Sequence, residues 1–432
     1  MHVYFSGIGG AGIAPLALVA HQAGYTVSGS DKQSTQYLTY LTKKGLKDIH
    51  VGQSKRDIAA LHAERPIDWF VYSSAVTIEN ADAPELQFCR EQKIKTSKRD
   101  EFLNFFLNDK KLKLIAVAGT HGKTTTTAMT VWLFKQMGIA ISYLLPAKVS
   151  FGDMGQYDPD AAYFVYEADE FDRNFLAFKP HLSLITGVSW DHHEIFPTRE
   201  DYQAAFKEFI AQSGRTLIWQ EDFDYLKIDN PANILVQASD NPLIDFINLS
   251  GRFNRLDAWL ALQAVHRLSK TPVSALLRQI NKFPGLQRRM EEIVPGLYSD
   301  YAHTPEKIKG AMSVASEIAA ERRQPIVIVY EPLTNRRQHY MLNDYKDCFA
   351  GASKLYWLPS YLAREDPAQR IIPPDELISH LDDPSIAEPA ELNDRLKQTI
   401  ADHLKEGAMV VCIAGGGGGS LDEWLRQEFA AA

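Results

Sequence analysis

Cysteine, surplus positive charge and long apolar runs are all scarce in this chain of 432 residues. Its three cysteines, Cys89, Cys348 and Cys412, lie far apart without a C-x-x-C pair, which argues against a disulfide framework or a zinc cluster. The net charge of −8 favours neither nucleic acid nor an anionic membrane as a partner. No apolar run approaches the roughly eighteen residues of a membrane span, and no signal peptide is recognisable. We therefore expect a cytoplasmic protein without membrane insertion.

Patterns typical of buried strands alternate with helical patterns along the whole chain. The apolar fraction of 45% and the charged fraction of 23% are those of an ordinary globular protein. Alternation of strands and helices predicts the α/β class, with largely parallel sheets. A polar run at residues 108–111 and the segment Phe283-Pro284-Gly285 are the expected domain boundaries. We predict three domains, at residues 1–108, 109–285 and 286–432.

The chain begins with a short apolar strand that leads into a full G-x-G-x-x-G pattern. This pattern, GIGGAG, runs from Gly7 to Gly12, and a helical pattern follows it. Asp31 ends the next strand, where a dinucleotide-binding fold places its ribose-binding acid. The pattern alone would indicate an NAD-dependent oxidoreductase. The same turn can hold any nucleotide diphosphate, so both interpretations stay open.

A second glycine-rich turn begins at Gly119, directly after the apolar run from Leu114 to Ala118. Its sequence, GTHGKT, precedes a long helical pattern, which is the layout of a phosphate-binding loop. Glycines let backbone amides close on phosphate oxygens, and the helix N-terminus adds partial positive charge. Lys123 would reach the phosphates and Thr124 would bind Mg²⁺. The loop has two residues between its glycines where the general motif has four.

Acidic and histidine residues follow two further buried-strand patterns in the same segment. Residues 161–166 lead into Glu167, a natural Mg²⁺ ligand beside a phosphate loop. Asp169 and Glu170 are expected to form a solvated acidic turn. Residues 182–187 lead into a DHHE block, in which we expect His192, rather than His193, to take part in a metal site.

The last segment carries a run of five glycines, from Gly415 to Gly419, between a strand pattern and a helical pattern. The run is either a low-complexity turn or a place where the backbone approaches a ligand closely.

Several motifs together resemble the Mur ligase family, ATP-dependent enzymes that add amino acids during bacterial peptidoglycan synthesis. They are GIGGAG, AGTHGKTTTT, YEADEFDRNFL, DHHE, GRFNRLDA, GLQRRME and SDYAHTP, in the family's order. The resemblance covers nearly the whole chain, and the short THGKT loop is itself a family feature. It implies a Rossmann-like N-terminal domain, a central phosphate-loop ATPase domain and a Rossmann-like C-terminal domain. GIGGAGI followed by SGSD is most similar to the member that joins L-alanine to UDP-N-acetylmuramate.

The resemblance also implies a set of site residues, with ATP and Mg²⁺ as cofactors. Catalysis is assigned to Lys123, Glu167 and His192, and the metal to Thr124, Glu167 and His192. ATP is assigned to Gly119, Thr120, His121, Gly122, Lys123, Thr124, Thr125, Asn254, Arg289 and Asp300. The UDP-sugar is assigned to Gly7, Gly9, Gly10, Gly12, Asp31, Ser73 and Ser74. The incoming amine is assigned to Tyr301, His303 and Arg337. A monomer or weak homodimer is expected.

Some positions depart from the pattern of the alanine-adding enzymes. Asp257 stands where they commonly have Asn, and Ser299 replaces the first of two common acids. The EPLTN stretch, with Leu333, Thr334 and Asn335, is closer to the peptide-recycling member, which uses a tripeptide. L-Alanine and a tripeptide therefore both stay open as the amine. An NAD-dependent oxidoreductase and a non-enzymatic nucleotide-binding module are the rivals outside the family.

Overall fold

The computed structural model describes residues 1–73, 76, 82–192, 195–229, 232–362, 365 and 368–429. The chain divides into two compact units. The first consists of Met1–Ile247 and Leu256–Phe283, and the second of Asn248–Arg255 and Pro284–Ala432. Ser74 and His193, both named in the sequence predictions, lie outside the described residues.

The first unit begins with a sheet of five strands. These are β1 (His2–Ser6), β2 (Thr26–Asp31), β3 (Ile49–Val51), β4 (Trp69–Tyr72) and β5 (Lys95–Lys98). The strands are all parallel, in the order β3-β2-β1-β4-β5. The accompanying helices are α1 (Ala14–Gln22), α2 (Gln36–Lys43), α3 (Lys55–Glu64), α4 (Pro84–Glu91) and α5 (Arg99–Asp109).

A second sheet in the same unit contains seven strands. These are β6 (Lys113–Ala118), β7 (Ser142–Leu144), β8 (Gly155–Gln156), β9 (Tyr163–Glu167), β10 (Leu182–Ile185), β11 (Thr216–Trp219) and β12 (Ile234–Gln237). Their order is β12-β11-β10-β6-β9-β7-β8, and β7 and β8 pair antiparallel. The accompanying helices are α6 (Lys123–Gln136), α7 (Arg199–Gln212), α8 (Gln220–Leu226), α9 (Arg252–Ser269) and α10 (Val273–Ile280). The first turn of α9 falls in the second unit.

The second unit contains one sheet of six strands. These are β13 (Glu291–Val294), β14 (Leu297–Asp300), β15 (Ile326–Glu331), β16 (Lys354–Trp357), β17 (Ala387–Pro389) and β18 (Met409–Ala414). Their order is β13-β14-β18-β15-β16-β17, and β13 and β14 pair antiparallel. The accompanying helices are α11 (Pro305–Arg322), α12 (Asn335–Met341), α13 (Pro374–Ile378), α14 (Asp394–Lys405) and α15 (Leu421–Phe429).

Several strands of the three sheets are buried along their whole length. Every residue of β1, β10, β15 and β18 is buried, as expected where helices cover both faces of a parallel sheet. The predicted α/β class is confirmed. No helix in the described part of the chain is both long and apolar enough to cross a membrane. Because the strands are mostly parallel, the loops at their carboxyl ends gather along one edge of each sheet, where ligands of α/β proteins bind.

Local signals place several helix starts. Thr198 precedes α7, and its hydroxyl accepts a hydrogen bond from the Asp201 amide at 3.1 Å, so Thr198 is the N-cap of this helix. Pro305 occupies the first turn of α11, where its fixed φ suits the start of a helix.

A buried carboxylate ties the first sheet to α4. Glu85 is 1% exposed, and it accepts hydrogen bonds of 2.6 Å from the hydroxyls of Tyr4, Ser6 and Ser30. Burial raises the pKa of Glu85, although the three hydroxyls oppose that shift. The carboxylate on α4 therefore accepts hydrogen bonds from side chains of two strands, β1 and β2.

We expect Glu85→Ala to lower the free energy of unfolding by about 3 kcal/mol, because three buried hydroxyls lose their acceptor. Glu91→Ala is the matched control on the same helix. The Glu91 side chain is 53% exposed and pairs with Lys55, so its loss should cost less than about 1 kcal/mol. Urea unfolding of both variants checks this. Equal midpoints for the two would show that the Glu85 network contributes little.

Candidate active site

The first glycine-rich loop connects β1 to α1 at the carboxyl edge of the first sheet. The amide of Gly9 donates to Asp31 Oδ2 at 2.8 Å, and a Cβ atom on Gly9 would lie 2.9 Å from that same oxygen. Gly7 has a φ of +78°, and a Cβ atom there would lie 3.2 Å from Ser73 Oγ. The structure therefore brings Gly7, Gly9, Asp31 and Ser73 together.

The outer face of this loop is open. Gly10 and Gly12 are exposed, so a ligand can reach the backbone there. A cavity of about 210 Å³ lies along the same edge of the sheet. It is lined by Lys32, Gln53, Val76, Ala83 and Pro84.

The second glycine-rich loop connects β6 to α6, as predicted from the sequence. Gly119 and Gly122 have φ values of +146° and +75°, a region that side chains rarely adopt. The Thr120 amide donates to the Gly187 carbonyl at 2.8 Å. This hydrogen bond holds the loop against the segment that follows β10.

Two further contacts explain a glycine in this loop, Gly122, and a glycine in the neighbouring segment, Gly187. The His121 ring occupies the space that a Cβ atom on Gly187 would need, and the His121 carbonyl accepts a hydrogen bond from the Thr186 hydroxyl. The Asp257 carboxylate likewise packs against Gly122. Asp257, which departs from the family pattern, thus lies directly beside the phosphate loop.

Lys123 is the first residue of α6, and its side chain is 12% exposed. Its ammonium donates to both oxygens of Glu170, at 2.7 and 3.0 Å, and to the Gly119 carbonyl at 2.5 Å. Glu170 is completely buried, and Asp169 is partly buried. The expectation that Glu170 lies in a solvated turn is therefore wrong. A carboxylate is stable at this depth because the ammonium neutralises it.

Thr124 lies beside the carboxylate that was predicted to share its metal. The Thr124 hydroxyl donates to Glu167 Oε2 at 2.8 Å, so a residue of α6 and the last residue of β9 meet. Thr125, the next residue of α6, is buried. The predicted pair of Mg²⁺ ligands is thus adjacent in the fold.

His192 has a backbone conformation that is rare outside glycine, and its side chain is largely enclosed. Its φ is +56°, which costs energy for a residue other than glycine, and its amide donates to Asp191 Oδ1 at 2.7 Å. Its Nε2 lies 3.7 Å from Glu170 Oε1. Its Nδ1 is buried and has no hydrogen-bond partner among the described residues.

Asp169, Glu170 and His192 form a group that could hold a metal ion. Each offers one ligand atom, and these atoms lie within 4.8 Å of one another. This group shares only His192 with the predicted metal set. Sequence reasoning missed Asp169 and Glu170. The signal was an acidic segment directly after a buried strand, but the sequence does not show which acids turn inward.

The opposite charges at this site stabilise each other's ionised forms. Burial opposes the charge on Lys123, but the carboxylates of Glu170, Asp169 and Glu167 outweigh burial and raise the pKa of Lys123. Burial alone would raise the pKa of Asp169, but Lys123 and the amide of Phe171 lower it below its usual value. An ammonium and an ionised Asp169 therefore coexist here at neutral pH.

The second unit holds another group of predicted site residues, around Tyr301. The guanidinium of Arg289 lies 5.3 Å from the Tyr301 ring centre, and the carboxylate of Asp300 accepts hydrogen bonds from two backbone amides at 2.8 Å. His303 Nδ1 lies 2.9 Å from the Tyr301 carbonyl. Burial, together with the charges of Lys307 and Arg337, holds the pKa of His303 well below its usual value. The imidazole of His303 is therefore neutral.

The EPLTN stretch adopts a strained turn at the end of β15. Thr334 has a φ of +56°, and its hydroxyl accepts from the Arg337 amide at 3.4 Å at the start of α12. Burial raises the pKa of Glu331 to about 7, while its carboxylate accepts from the Leu421 amide at 3.2 Å.

Asn254, also in the second unit, donates to the Ser250 carbonyl at 2.8 Å.

The glycine run after β18 makes close contacts with side chains of the protein itself. A Cβ atom on Gly415 would lie 2.8 Å from the His303 Cβ, and one on Gly416 would lie 2.8 Å from the Tyr361 ring. The Tyr361 hydroxyl also donates to the Gly418 carbonyl at 3.1 Å. Gly415 and Gly416 are therefore required by the packing of two aromatic side chains.

We expect Lys123→Met to lower the free energy of unfolding by about 3 kcal/mol, because it leaves the buried Glu170 carboxylate unpaired. Adding Glu170→Gln should recover most of that loss. The exposed pair Lys55 and Glu91 is the control, and its coupling should be below about 1 kcal/mol. Urea unfolding of the four variants of each pair measures the coupling. A Lys123→Met protein as stable as the parent would contradict the pairing.

Two family models match this chain. The model described as the Mur ligase family catalytic domain matches residues 2–111, and the Mur ligase middle domain matches residues 117–233. Together they match more than half of the chain.

Curated relatives match over most of their length. A UDP-N-acetylmuramate–L-alanine ligase of Clostridium novyi is 28% identical over 397 residues, covering 84% of this chain and 83% of the relative. The enzyme of that name from Methylobacterium radiotolerans is 28% identical over 482 residues, covering 98% and 95%.

Solved structures share the fold over nearly the whole chain. The UDP-N-acetylmuramate-alanine ligase of Thermotoga maritima matches with a TM-score of 0.76 at 22% identity, covering 99% of this chain and 98% of that one. A murein peptide ligase of Psychrobacter arcticus matches with a TM-score of 0.65 at 22% identity, covering 100% and 99%. These matches establish the similarity of fold, and with the two family models they show that the chain belongs to the Mur ligase family.

Proposed function

We propose that this protein is an ATP-dependent ligase that joins L-alanine to UDP-N-acetylmuramate in peptidoglycan synthesis. The observation that carries the proposal is the buried ion pair of Lys123 and Glu170 beside the contact between Thr124 and Glu167. This arrangement puts a cation and a hydroxyl at the N-terminus of α6, where a nucleotide phosphate binds. The curated relatives named above carry the same activity in their names.

We assign ATP to the second glycine-rich loop, from Gly119 to Thr125. Its glycines have the backbone conformation that a phosphate-binding loop needs, and Lys123 supplies the charge that offsets a transferring phosphoryl group. Asn254, Arg289 and Asp300 remain proposed nucleotide contacts because of the family resemblance.

The residues around this loop fit Mg²⁺. Oxygen atoms of Thr124, Glu167, Asp169 and Glu170 are the hard ligands that this ion prefers. His192, whose Nε2 lies 3.7 Å from Glu170 Oε1, belongs to the same group. When bound, Mg²⁺ would neutralise phosphate charge in the transition state. The predicted set of Thr124, Glu167 and His192 is thereby enlarged by two neighbouring acids.

We assign the UDP-sugar to the first glycine-rich loop, with Asp31 and Ser73 beside it. The cavity at that edge of the sheet supports this assignment, since it offers room for part of a nucleoside. On this proposal the three sheets mark three functional domains, at residues 1–108, 109–285 and 286–432. The first of these domains binds the UDP-sugar, the second binds ATP, and the third binds the amine.

The reaction proceeds in two steps on this proposal. A carboxylate oxygen of the muramoyl group attacks the γ-phosphorus of ATP, ADP leaves, and an acyl phosphate forms. The nitrogen of the amine then attacks the acyl carbon, loses a proton, and expels phosphate as the amide bond forms. The contribution of the chain is positioning and electrostatics, through Lys123 and the loop amides.

We propose Tyr301, His303 and Arg337 as the amine site. The imidazole of His303 is neutral, because its pKa lies well below its usual value, so it adds no positive charge beside an incoming amine. A guanidinium such as that of Arg337 binds a carboxylate through two parallel hydrogen bonds. The tripeptide alternative is not favoured. The curated relatives above are L-alanine ligases, and the alanine ligase structure has the higher TM-score of the two.

The proposal is tested by measuring the release of ADP when the protein is supplied with UDP-N-acetylmuramate, ATP, Mg²⁺ and one candidate amine. We expect L-alanine to be the preferred amine, with slower use of glycine and L-serine, because one small group discriminates by only about 1–3 kcal/mol. Lys123→Ala should lower turnover about 100-fold or more, whereas Lys55→Ala at an exposed position should not.

Efficient ligation of the tripeptide without turnover of L-alanine would instead favour the peptide-recycling activity. ATP-independent reduction of a nicotinamide would indicate the oxidoreductase.

A further inference from the structure

Arg99 carries a charge that the proposed site does not yet use. It is the first residue of α5, directly after β5, and its side chain is 22% exposed. Its Nε donates to Asp100 Oδ1 at 3.3 Å. Within the described residues, its two terminal nitrogens have no hydrogen-bond partner. A largely enclosed guanidinium with two unused donor groups suggests a missing acceptor.

The guanidinium of Arg99 lies against the first glycine-rich loop. Its Nη1 occupies the space that a Cβ atom on Gly12 would need, and among the described residues only the Arg99 guanidinium comes within 4 Å of that position. The φ of Gly12 is not in the left-handed region. Glycine at this position is therefore explained by the contact with Arg99 rather than by the backbone conformation.

The loop itself leaves two amides without acceptors beside this guanidinium. The amides of residues 7–10 donate to Ser30, to Asp31 or within the loop. Those of Ala11 and Gly12 donate to nothing in the part of the chain that the structure describes, and both residues are exposed. The two amides therefore lie in the exposed part of the loop that Arg99 Nη1 approaches at Gly12, shortly before α1.

The neighbouring cation, Lys98, differs from Arg99 because its terminal nitrogen has a carboxylate partner. Lys98 Nζ, one residue earlier, pairs with Asp172 Oδ2 at 2.7 Å. Arg99 has Asp100 on one side, and its charge also acts on Asp169. Burial raises the pKa of Asp169, and Lys123, the Phe171 amide and Arg99 together lower it below its usual value. Arg99 therefore lies between the first glycine-rich loop and the acidic side of the phosphate loop.

We propose that Arg99, with the amides of Ala11 and Gly12, binds an oxyanion of the sugar-nucleotide substrate. This proposal rests on the proposed function, which makes that substrate UDP-N-acetylmuramate. The molecule offers two oxyanions of the same chemistry, the diphosphate and the carboxylate of its lactyl group. A guanidinium suits either, because its planar array of donors matches two oxygens at once.

The proposal is tested by calorimetry, which measures the affinity of the parent and of Arg99→Lys for three ligands. These are UDP, UDP-N-acetylglucosamine and UDP-N-acetylmuramate. Lysine keeps the charge but loses the planar donors, so we expect affinity for UDP-N-acetylmuramate to fall about 10-fold or more. Arg90→Lys is the matched control, since the Arg90 side chain is 59% exposed. ATP affinity should not change in either variant.

Gly12→Ala is a second, independent variant, because the new methyl group would displace the guanidinium without straining the backbone. It should weaken the same ligands as Arg99→Lys, and the double variant should lose less than the sum of both effects. Weakening of all three ligands identifies the diphosphate as the bound group. Weakening of UDP-N-acetylmuramate alone identifies the lactyl carboxylate.

Parental affinity of Arg99→Lys and Gly12→Ala for all three ligands would overturn the proposal. If the parent protein ligates L-alanine in that case, the proposed function stands and only the role of Arg99 fails. If the parent binds UDP-N-acetylmuramate but does not ligate any amine, the proposed function fails and the binding comparison still decides the role of Arg99. A parent that binds none of the three ligands would overturn both.

Discussion

The buried ion pair between Lys123 and Glu170 is the constraint on which the phosphate loop depends. Neither charge would be stable at this depth alone, and each is stabilised by the other. The pair links the N-terminus of α6 to the segment after β9, so that Thr124 and Glu167 meet beside it. It also brings the Glu170 carboxylate near the His192 imidazole. The loop, the acids and the histidine therefore form one electrostatic unit.

Much of the fold could be predicted because its determinants are local. Buried parallel strands are continuous apolar runs, and the runs at β6, β9 and β10 were recognisable from composition alone. Gly119 and Gly122 were predicted from a motif, and their positive φ values show why the motif needs glycine. The N-cap at Thr198 follows from the same local logic. Each of these features depends on a few neighbouring residues.

Other features depend on distant contacts, and the sequence could not reveal them. Glu170 turns inward because an ammonium more than forty residues earlier neutralises it, as its hydrogen bonds to Lys123 show. Gly415 and Gly416 approach His303 and Tyr361, which come from other loops. Asp257 reaches the phosphate loop from α9. In each case the reason for the residue lies in a contact between elements that are far apart in the chain.

Transfer of an isotope tests most directly whether a carboxylate is activated at this site. The substrate would be UDP-N-acetylmuramate with ¹⁸O in both oxygens of its lactyl carboxylate, supplied with ATP, Mg²⁺ and L-alanine in unlabelled water. If a carboxylate oxygen attacks the γ-phosphorus, the phosphate released after amide formation carries one ¹⁸O atom. We expect mass spectrometry to find that label in the phosphate. Unlabelled phosphate, formed together with the amide product, would contradict the acyl-phosphate route.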